Sequence, residues 1–182
     1  MIRADRCSCP TRLKKIDAMR TELCWIDGLP SGRLAVMPRP RGGDWLDDEI
    51  RAWRQSGVDV VVSLLTPDEQ AELNLRDEPD LCRANDIAFV SFPILDRSVP
   101  PSSEAFAGLV ADLAGRLAGG KGVAVHCRQG IGRAALVAIG VLSAAGVDVE
   151  TAIARVGAAR GRTVPETPEQ RRWVADFALS VA

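Results

Sequence analysis

Two short runs constrain this chain more than anything else in it. Val58–Leu65 (VDVVVSLL) and Gly122–Val125 (GVAV) are apolar at nearly every position rather than at every second one. A strand that is apolar on both faces belongs inside a sheet covered on both sides, the usual setting of parallel strands between helix layers. The segments around them agree. Leu23–Ile26, Arg33–Met37 and Ile87–Phe92 read as further strands, the first two separated by a Gly-Leu-Pro-Ser-Gly turn. Helical spacing appears over Trp45–Gln55 behind Asp44 as N-cap. It recurs in a short helix after Thr66, where Pro67 and Glu69 stand at the first and third positions of a capping box. Further helices are expected from Ser102 or Ser103 to about Leu117, and over Arg133–Ala145, Val149–Ala159 and Glu169–Val181. Strands alternating with helices predict an α/β fold: a single domain with a central, mostly parallel sheet flanked by helices. A length of 182 residues with 47% hydrophobic side chains supports one such core.

The ends and charges refine this. Residues 1–20 carry six basic and two acidic side chains and read as a basic N-terminal tail, leaving residues 21–182 as the folded domain. Asp68, Glu69, Glu72, Asp77, Glu78 and Asp80 make the helix after Thr66 and the loop behind it acidic, and a solvated face is the expectation. The net charge is −1, which gives no basic field for nucleic acid or an anionic membrane. The apolar run Ala134–Leu142 falls far short of the roughly 20 residues a bilayer needs. Five cysteines, an odd number, with no apolar leader segment predict reduced thiols and a cytoplasmic protein. Cys7 and Cys9 lack the second ligand pair of a tetrahedral zinc site, and a single histidine excludes His-rich metal centres, so no metal and no cofactor are expected. The 20 arginines against 3 lysines are read as a GC-rich, most simply bacterial, genome.

Chemistry concentrates in Val123-Ala124-Val125-His126-Cys127-Arg128-Gln129-Gly130-Ile131-Gly132-Arg133-Ala134. A strand ends, a short loop turns, and a helix begins. Such a loop aims successive backbone N–H groups at one spot, and the helix N-terminus adds about half a positive charge there. Gly130 and Gly132 permit the tight turn and the close approach of an anion. Arg133 can fold its guanidinium fork over the same anion. Cys127 lies at the floor, where surrounding dipoles favour its thiolate. This is a nucleophile beneath a tetrahedral oxyanion, a geometry for attack on phosphorus. Cys with Arg six positions later is a weak motif alone; its weight comes from the strand before, the helix after, the two glycines and the adjacent histidine.

His126–Arg133 resembles the signature loop of the cysteine-dependent protein tyrosine phosphatases, His-Cys-x-x-Gly-x-x-Arg. The resemblance runs from about Leu34 to Phe177 and is strongest to the small, atypical dual-specificity branch. Met37-Pro38-Arg39 and the VVSLL strand resemble the entry to that fold, Phe92–Asp96 its general-acid loop, and Glu166–Gln170 the segment whose last Gln places a water. The resemblance implies a two-step reaction. Cys127 attacks phosphorus, Asp96 protonates the departing oxygen, and a phosphocysteine forms. Asp96 then activates a water oriented by Gln170. Arg133 and the amides of Arg128, Gln129, Gly130, Ile131, Gly132 and Arg133 hold the equatorial oxygens, and His126 supports the thiolate. One departure stands out: the family has Ser or Thr after the signature Arg, and this chain has Ala134. The phosphatases of regenerating liver share that alanine and are sluggish, which implies slow breakdown of the phosphoenzyme.

The expected substrate is a phosphorylated protein, phosphotyrosine above all, with phosphoserine and phosphothreonine as further substrates. The alternatives are a phosphoinositide or other small-molecule phosphatase, and a slow-turnover pseudophosphatase that binds phosphorylated partners. Arg128 stands where inositide-selective relatives carry a base, but Ile131 replaces their second one. A rhodanese-like sulfur carrier would not require Asp96 or Gln170. Trp25, Trp45, Trp53 and Trp173 are expected to pack, Arg39 and Arg41 to sit in a solvated loop, and Cys24 and Cys82 to be inert unless one lies beside Cys127 as a redox partner. The sequence leaves the oligomeric state open, a monomer being the expectation.

Overall fold

The computed structural model describes residues 21–181. Its strands are Cys24–Ile26 (β1), Arg33–Met37 (β2), Val60–Ser63 (β3), Ala88–Ser91 (β4) and Gly122–His126 (β5). They form one sheet in the order β1-β2-β5-β3-β4. β1 runs antiparallel to β2, and every other pairing is parallel. The helices are Leu46–Gln55 (α1), Pro67–Glu72 (α2), Glu78–Ala84 (α3), Ser103–Ala118 (α4), Arg133–Ala144 (α5), Val149–Arg160 (α6) and Pro168–Val181 (α7). The basic segment 1–20, with Cys7 and Cys9, lies outside the described residues.

The alternation of side chains along the strands accounts for the two cores. Leu34, Val36, Val60, Val62, Val123 and Val125 point to one face and meet α4–α7. Ala35, Met37, Val61 and Ala124 point to the other and meet Leu46, Ile50 and Trp53 of α1 and Cys82 of α3. Both faces are therefore covered, as the unbroken apolar runs require. Full burial of each Val or Leu stabilises the fold by about 1.5–3 kcal/mol. α5 is the inner helix of the thicker layer: residues 133–143 are all buried, which its Ala-rich composition allows. Phe106 of α4 meets Trp173 and Phe177 of α7 edge-on, with ring centroids 4.9 and 4.8 Å away.

Three local expectations change. Asp44 does not cap α1; it lies in a 3-10 turn over Gly43–Trp45, and Trp45 takes the N-cap position without a side-chain bond. The chain is steered there from outside: the Gly43 N–H bonds to the Asn74 carbonyl at 3.1 Å, and a Cβ on Gly42 would lie 2.1 Å from the Leu73 oxygen. Thr66 does form the expected capping box with Glu69, yet the acidic stretch behind it is not a loop, because Glu78–Ala84 is helical. Nor is that stretch wholly solvated. Glu69 and Glu78 are 8% and 0% exposed. Both turn inward because basic side chains near Cys127 are waiting for them.

Candidate active site

Three strands deliver the site from their C-terminal ends, where parallel sheets build ligand crevices. β5 runs into the loop 127–132 and then α5. β3 continues through Leu64 and Leu65 to the capped start of α2, which carries Glu69. β4 leads through Phe92, Pro93 and Ile94 to Asp96. Asp96, Cys127, Arg128, Gln129, Ile131, Gly132, Arg133 and Glu166 line one pocket.

The loop is shaped from behind. The Arg128 carbonyl accepts from the Arg39 N–H at 3.4 Å. The Gln129 and Gly130 carbonyls accept from Arg160 at 3.0 and 3.1 Å. Across a trans peptide, the next residue's N–H points opposite to the carbonyl. Tying three successive carbonyls outward therefore turns the amides of Gln129, Gly130 and Ile131 inward. The Gly130 N–H reaches Cys127 Sγ at 3.2 Å, as this orientation demands. Gly130 has φ +70, and a Cβ there would sit 2.5 Å from the Met37 oxygen, so both the turn and the packing on β2 require glycine. A Cβ on Gly132 would meet Gln170 and Glu166 at 3.0–3.1 Å.

Arg133 is 1% exposed and held from several sides. Glu69 grips it bidentately, Oε2 to Nη1 at 2.7 Å and Oε1 to Nη2 at 2.9 Å. The carbonyls of Ile94 and Leu64 accept from Nη1 at 2.8 and 3.4 Å. Asp96 Oδ1 accepts from Nη2 at 2.7 Å. Burial pulls the guanidinium's pKa down, but the Glu69 hydrogen bond and the charges of Cys127, Glu69 and Asp96 outweigh it and raise it, so Arg133 stays charged. Burial likewise pushes the Glu69 carboxyl up, and the bonds from Arg133 and from the Thr66 backbone outweigh that, holding it below the usual carboxylate range. An isolated buried charge would be strongly unfavourable; this pair and its carbonyls satisfy one another.

His126 points to the opposite face of the sheet from Val125. Its Nε2 lies 2.9 Å from Glu78 Oε1, and both side chains are fully buried. The contact lacks the alignment of a hydrogen bond. Trp53 packs nearby, its ring centroid 6.4 Å from the imidazole.

The other candidates divide. Asp96 reaches the pocket on an exposed turn completed by Arg97 at φ +60, a left-handed conformation that strains a non-glycine residue. Gln170 is brought near the loop but stands behind the pocket wall: it is fully buried, its Nε2 donates to the Ser98 carbonyl at 2.9 Å, and its Oε1 accepts from the Thr167 N–H at 3.3 Å. Arg128 is tied by Glu72 at 2.6 Å and Glu69 at 3.4 Å, and the Glu72 bond leads the causes that raise its pKa. Arg41 is not free in solvent but pairs with the buried Glu49 and lies over the Trp45 ring, itself 52% exposed. Neither Cys24 nor Cys82 lies beside Cys127. Cys24 pairs with Val36, which pairs with Val125, placing it two strands away; that is about 10 Å, beyond the roughly 7 Å limit for a disulfide. Cys82 belongs to the core of the other face, and burial, then the charge of Glu78, pushes its thiol up. Among the described residues no group of three or more His, Cys, Asp or Glu is placed to hold a metal ion, and no helix is long and apolar enough to cross a membrane.

Sequence reasoning missed Glu69 and Glu78 as inward-facing acids, Arg160 as the loop's clamp, and Glu166 as a pocket residue. Glu69 left a trace in its capping box, which names a different job, and Glu166 stood at the head of the motif read as placing a water through Gln170.

Comparison with known proteins bears on the family and the fold. The family model described as polymorphic toxin system, DSP-PTPase phosphatase (Tc-R-P) matches residues 35–146. Kinase associated phosphatase, with serine substituted for its catalytic-site cysteine, superposes with a TM-score of 0.81 at 18% identity, covering 90% of this chain and 97% of that one. Tk-PTP in its active form gives 0.67 at 26% identity, over 86% and 96%. PTPMT1 in complex with PI(5)P gives 0.67 at 17% identity, over 81% and 91%. No curated protein matches the chain.

Proposed function

The chain belongs to the DSP-PTPase phosphatases of polymorphic toxin systems, and from that premise we propose that it dephosphorylates proteins, phosphotyrosine above all and phosphoserine or phosphothreonine besides, through a phosphocysteine. The observation that carries the reading is the convergence of Cys127, Arg133 and Asp96 in one pocket. Cys127 attacks phosphorus in line, the inward amides of the loop and Arg133 hold the equatorial oxygens, and Asp96 gives its proton to the departing oxygen. In the second step water attacks phosphorus, the P–S bond breaks, and Asp96 recovers a proton.

Charge supports a monoester on a protein over a polyphosphorylated inositol. The pocket wall carries two cations, Arg128 and Arg133, and two acids, Asp96 and Glu166. Both guanidiniums are also bonded to Glu69, and Arg128 to Glu72. A second phosphate would meet no uncommitted cation on that wall. Ile131 is apolar where a further base would serve such a substrate. The polymorphic toxin system in the family's description is the setting we attach to the activity.

Ala134, fully buried behind Arg133, has no hydroxyl to assist thiolate departure, so a burst followed by slow turnover is expected. The test uses an aryl phosphate. Cys127→Ser abolishes turnover, and Asp96→Ala lowers it about 10²-fold or more. Turnover surviving Cys127→Ser would sink the mechanism. Ala134→Ser raises the steady-state rate several-fold; an unchanged rate removes the explanation for slow turnover. Side-by-side panels of phosphopeptides and phosphoinositides separate the substrate classes, and preference for the lipids would reverse the assignment.

A further inference from the structure

The second half of the reaction needs a group that holds water in line with the phosphorus. The family resemblance gives that task to Gln170, but Gln170 stands behind the pocket wall with both ends of its carboxamide engaged, Nε2 on the Ser98 carbonyl at 2.9 Å and Oε1 on the Thr167 N–H at 3.3 Å. A different side chain from the same segment reaches the pocket. Glu166 lines it together with Cys127, Asp96 and Arg133. Its Oε2 lies 3.1 Å from where a Cβ on Gly132 would be, no nearer the loop than the Gln170 carboxamide at 3.0–3.1 Å, so what separates the two is that Glu166 lines the pocket and Gln170 does not. Its side chain is 32% exposed, so water reaches it, and Arg97 Nε stands 3.9 Å from Oε1, a loose pairing that leaves the carboxylate able to accept another bond. Gly132 has no side chain to separate that carboxylate from the loop.

We propose that Glu166 is the catalytic residue that orients the hydrolytic water in phosphocysteine breakdown. This rests on the phosphatase reading above. One hydrogen of the water bonds to the Glu166 carboxylate, which fixes the oxygen's lone pair on phosphorus. The oxygen forms its bond to phosphorus, the P–S bond breaks, and the electron pair returns to Cys127 as thiolate. The water's other proton passes to the Asp96 carboxylate and regenerates the acid. Glu166 neither gains nor loses a proton, so an uncharged oxygen acceptor serves in its place. In the first step, where no water reacts, Glu166 has no role.

Rapid-quench kinetics on an aryl phosphate separate the two steps. Wild type releases one equivalent of phenol in a burst and then turns over slowly. Glu166→Ala keeps the burst rate within about twofold and lowers the steady-state rate about tenfold, the scale of one lost hydrogen bond, while the acid-quenched phosphocysteine accumulates. With glycerol present, transfer to the alcohol rises relative to hydrolysis, a shift that a general loosening of the site does not produce. Glu166→Gln, which keeps an oxygen acceptor, stays within about threefold of wild type. The proposal is overturned if Glu166→Ala leaves steady-state turnover and product partitioning unchanged, or slows burst and turnover equally. Wild type that neither bursts nor turns over would instead overturn the phosphatase reading, and this assignment with it. A normal wild type beside an unaffected Glu166→Ala removes this assignment alone.

Discussion

The loop 127–132 and the acidic stretch 67–84 face each other across the end of the sheet, and they are built on opposite principles. The loop is a backbone device: its carbonyls are tied outward by Arg39 and Arg160, its amides turn inward, and its glycines fill places where a Cβ would collide. The acidic stretch is a side-chain device: α2 turns Glu69 onto Arg133 and Arg128 and Glu72 onto Arg128, and α3 packs the buried Glu78 against His126. The lesson is that a cradle for an anion needs anions of its own. Arg133 is too deeply buried to stand without a counter-charge, and Glu69 supplies one through two hydrogen bonds while the guanidinium stays positively charged.

If that division holds, the largest effect comes from breaking the acidic side. Glu78→Ala removes the fully buried carboxylate that packs 2.9 Å from His126 Nε2 and opens a cavity; large-to-small changes in a core cost about 2–5 kcal/mol. Urea denaturation is expected to show about 3 kcal/mol lost, and a change below about 1 kcal/mol would mean the contact braces nothing. Glu69→Gln comes next. It releases one edge of the guanidinium, and misplacement on that scale lowers kcat/KM about 10²-fold, or close to 2.7 kcal/mol. The same pair carries a pH signature. The Glu69 pKa is depressed on folding, so its contribution is complete above the ordinary glutamate value of 4.5 and is lost as pH falls through the lower folded value. The melting-temperature gap between wild type and Glu69→Gln should therefore close on acidification below about pH 4.5; a gap that widens there contradicts the pairing.

The loop side is expected to respond less. Arg160→Met frees two carbonyls and lets the amides wander, weakening vanadate binding and kcat/KM about tenfold with little change in melting temperature. Equal losses in affinity and stability would make Arg160 a packing residue instead. Smallest of all is Glu72→Ala. Glu72 pairs with Arg128 but is 62% exposed, and exposed pairs contribute about 0–1 kcal/mol, so thermal denaturation should barely register its loss.

How much of this was visible in the sequence depends on where each residue's partners lie. The strands, the inner helix α5 and the loop with Cys127 and Arg133 are local patterns: β-branched runs, Ala-rich spacing, glycines at a strand–helix junction. Asp96 was legible through a family pattern, and the structure brings it to the pocket. Asp44 looked like a helix cap because its neighbours in sequence suit one, while a backbone contact with Asn74, far along the chain, decides that turn. Glu166 and Gln170 stood together in one motif, and only their placement distinguishes the one on the pocket wall from the one behind it.

The sequence by itself determined the α/β architecture and the thiol cradle, because apolar periodicity and a glycine-punctuated turn act within a dozen residues. The tertiary structure decided which acids face inward. A glutamate on a short polar helix is equally at home in water, and it turns into the core only when a guanidinium 64 residues away arrives to meet it. Burial of a charge is a property of two partners, and a single stretch of chain contains only one of them.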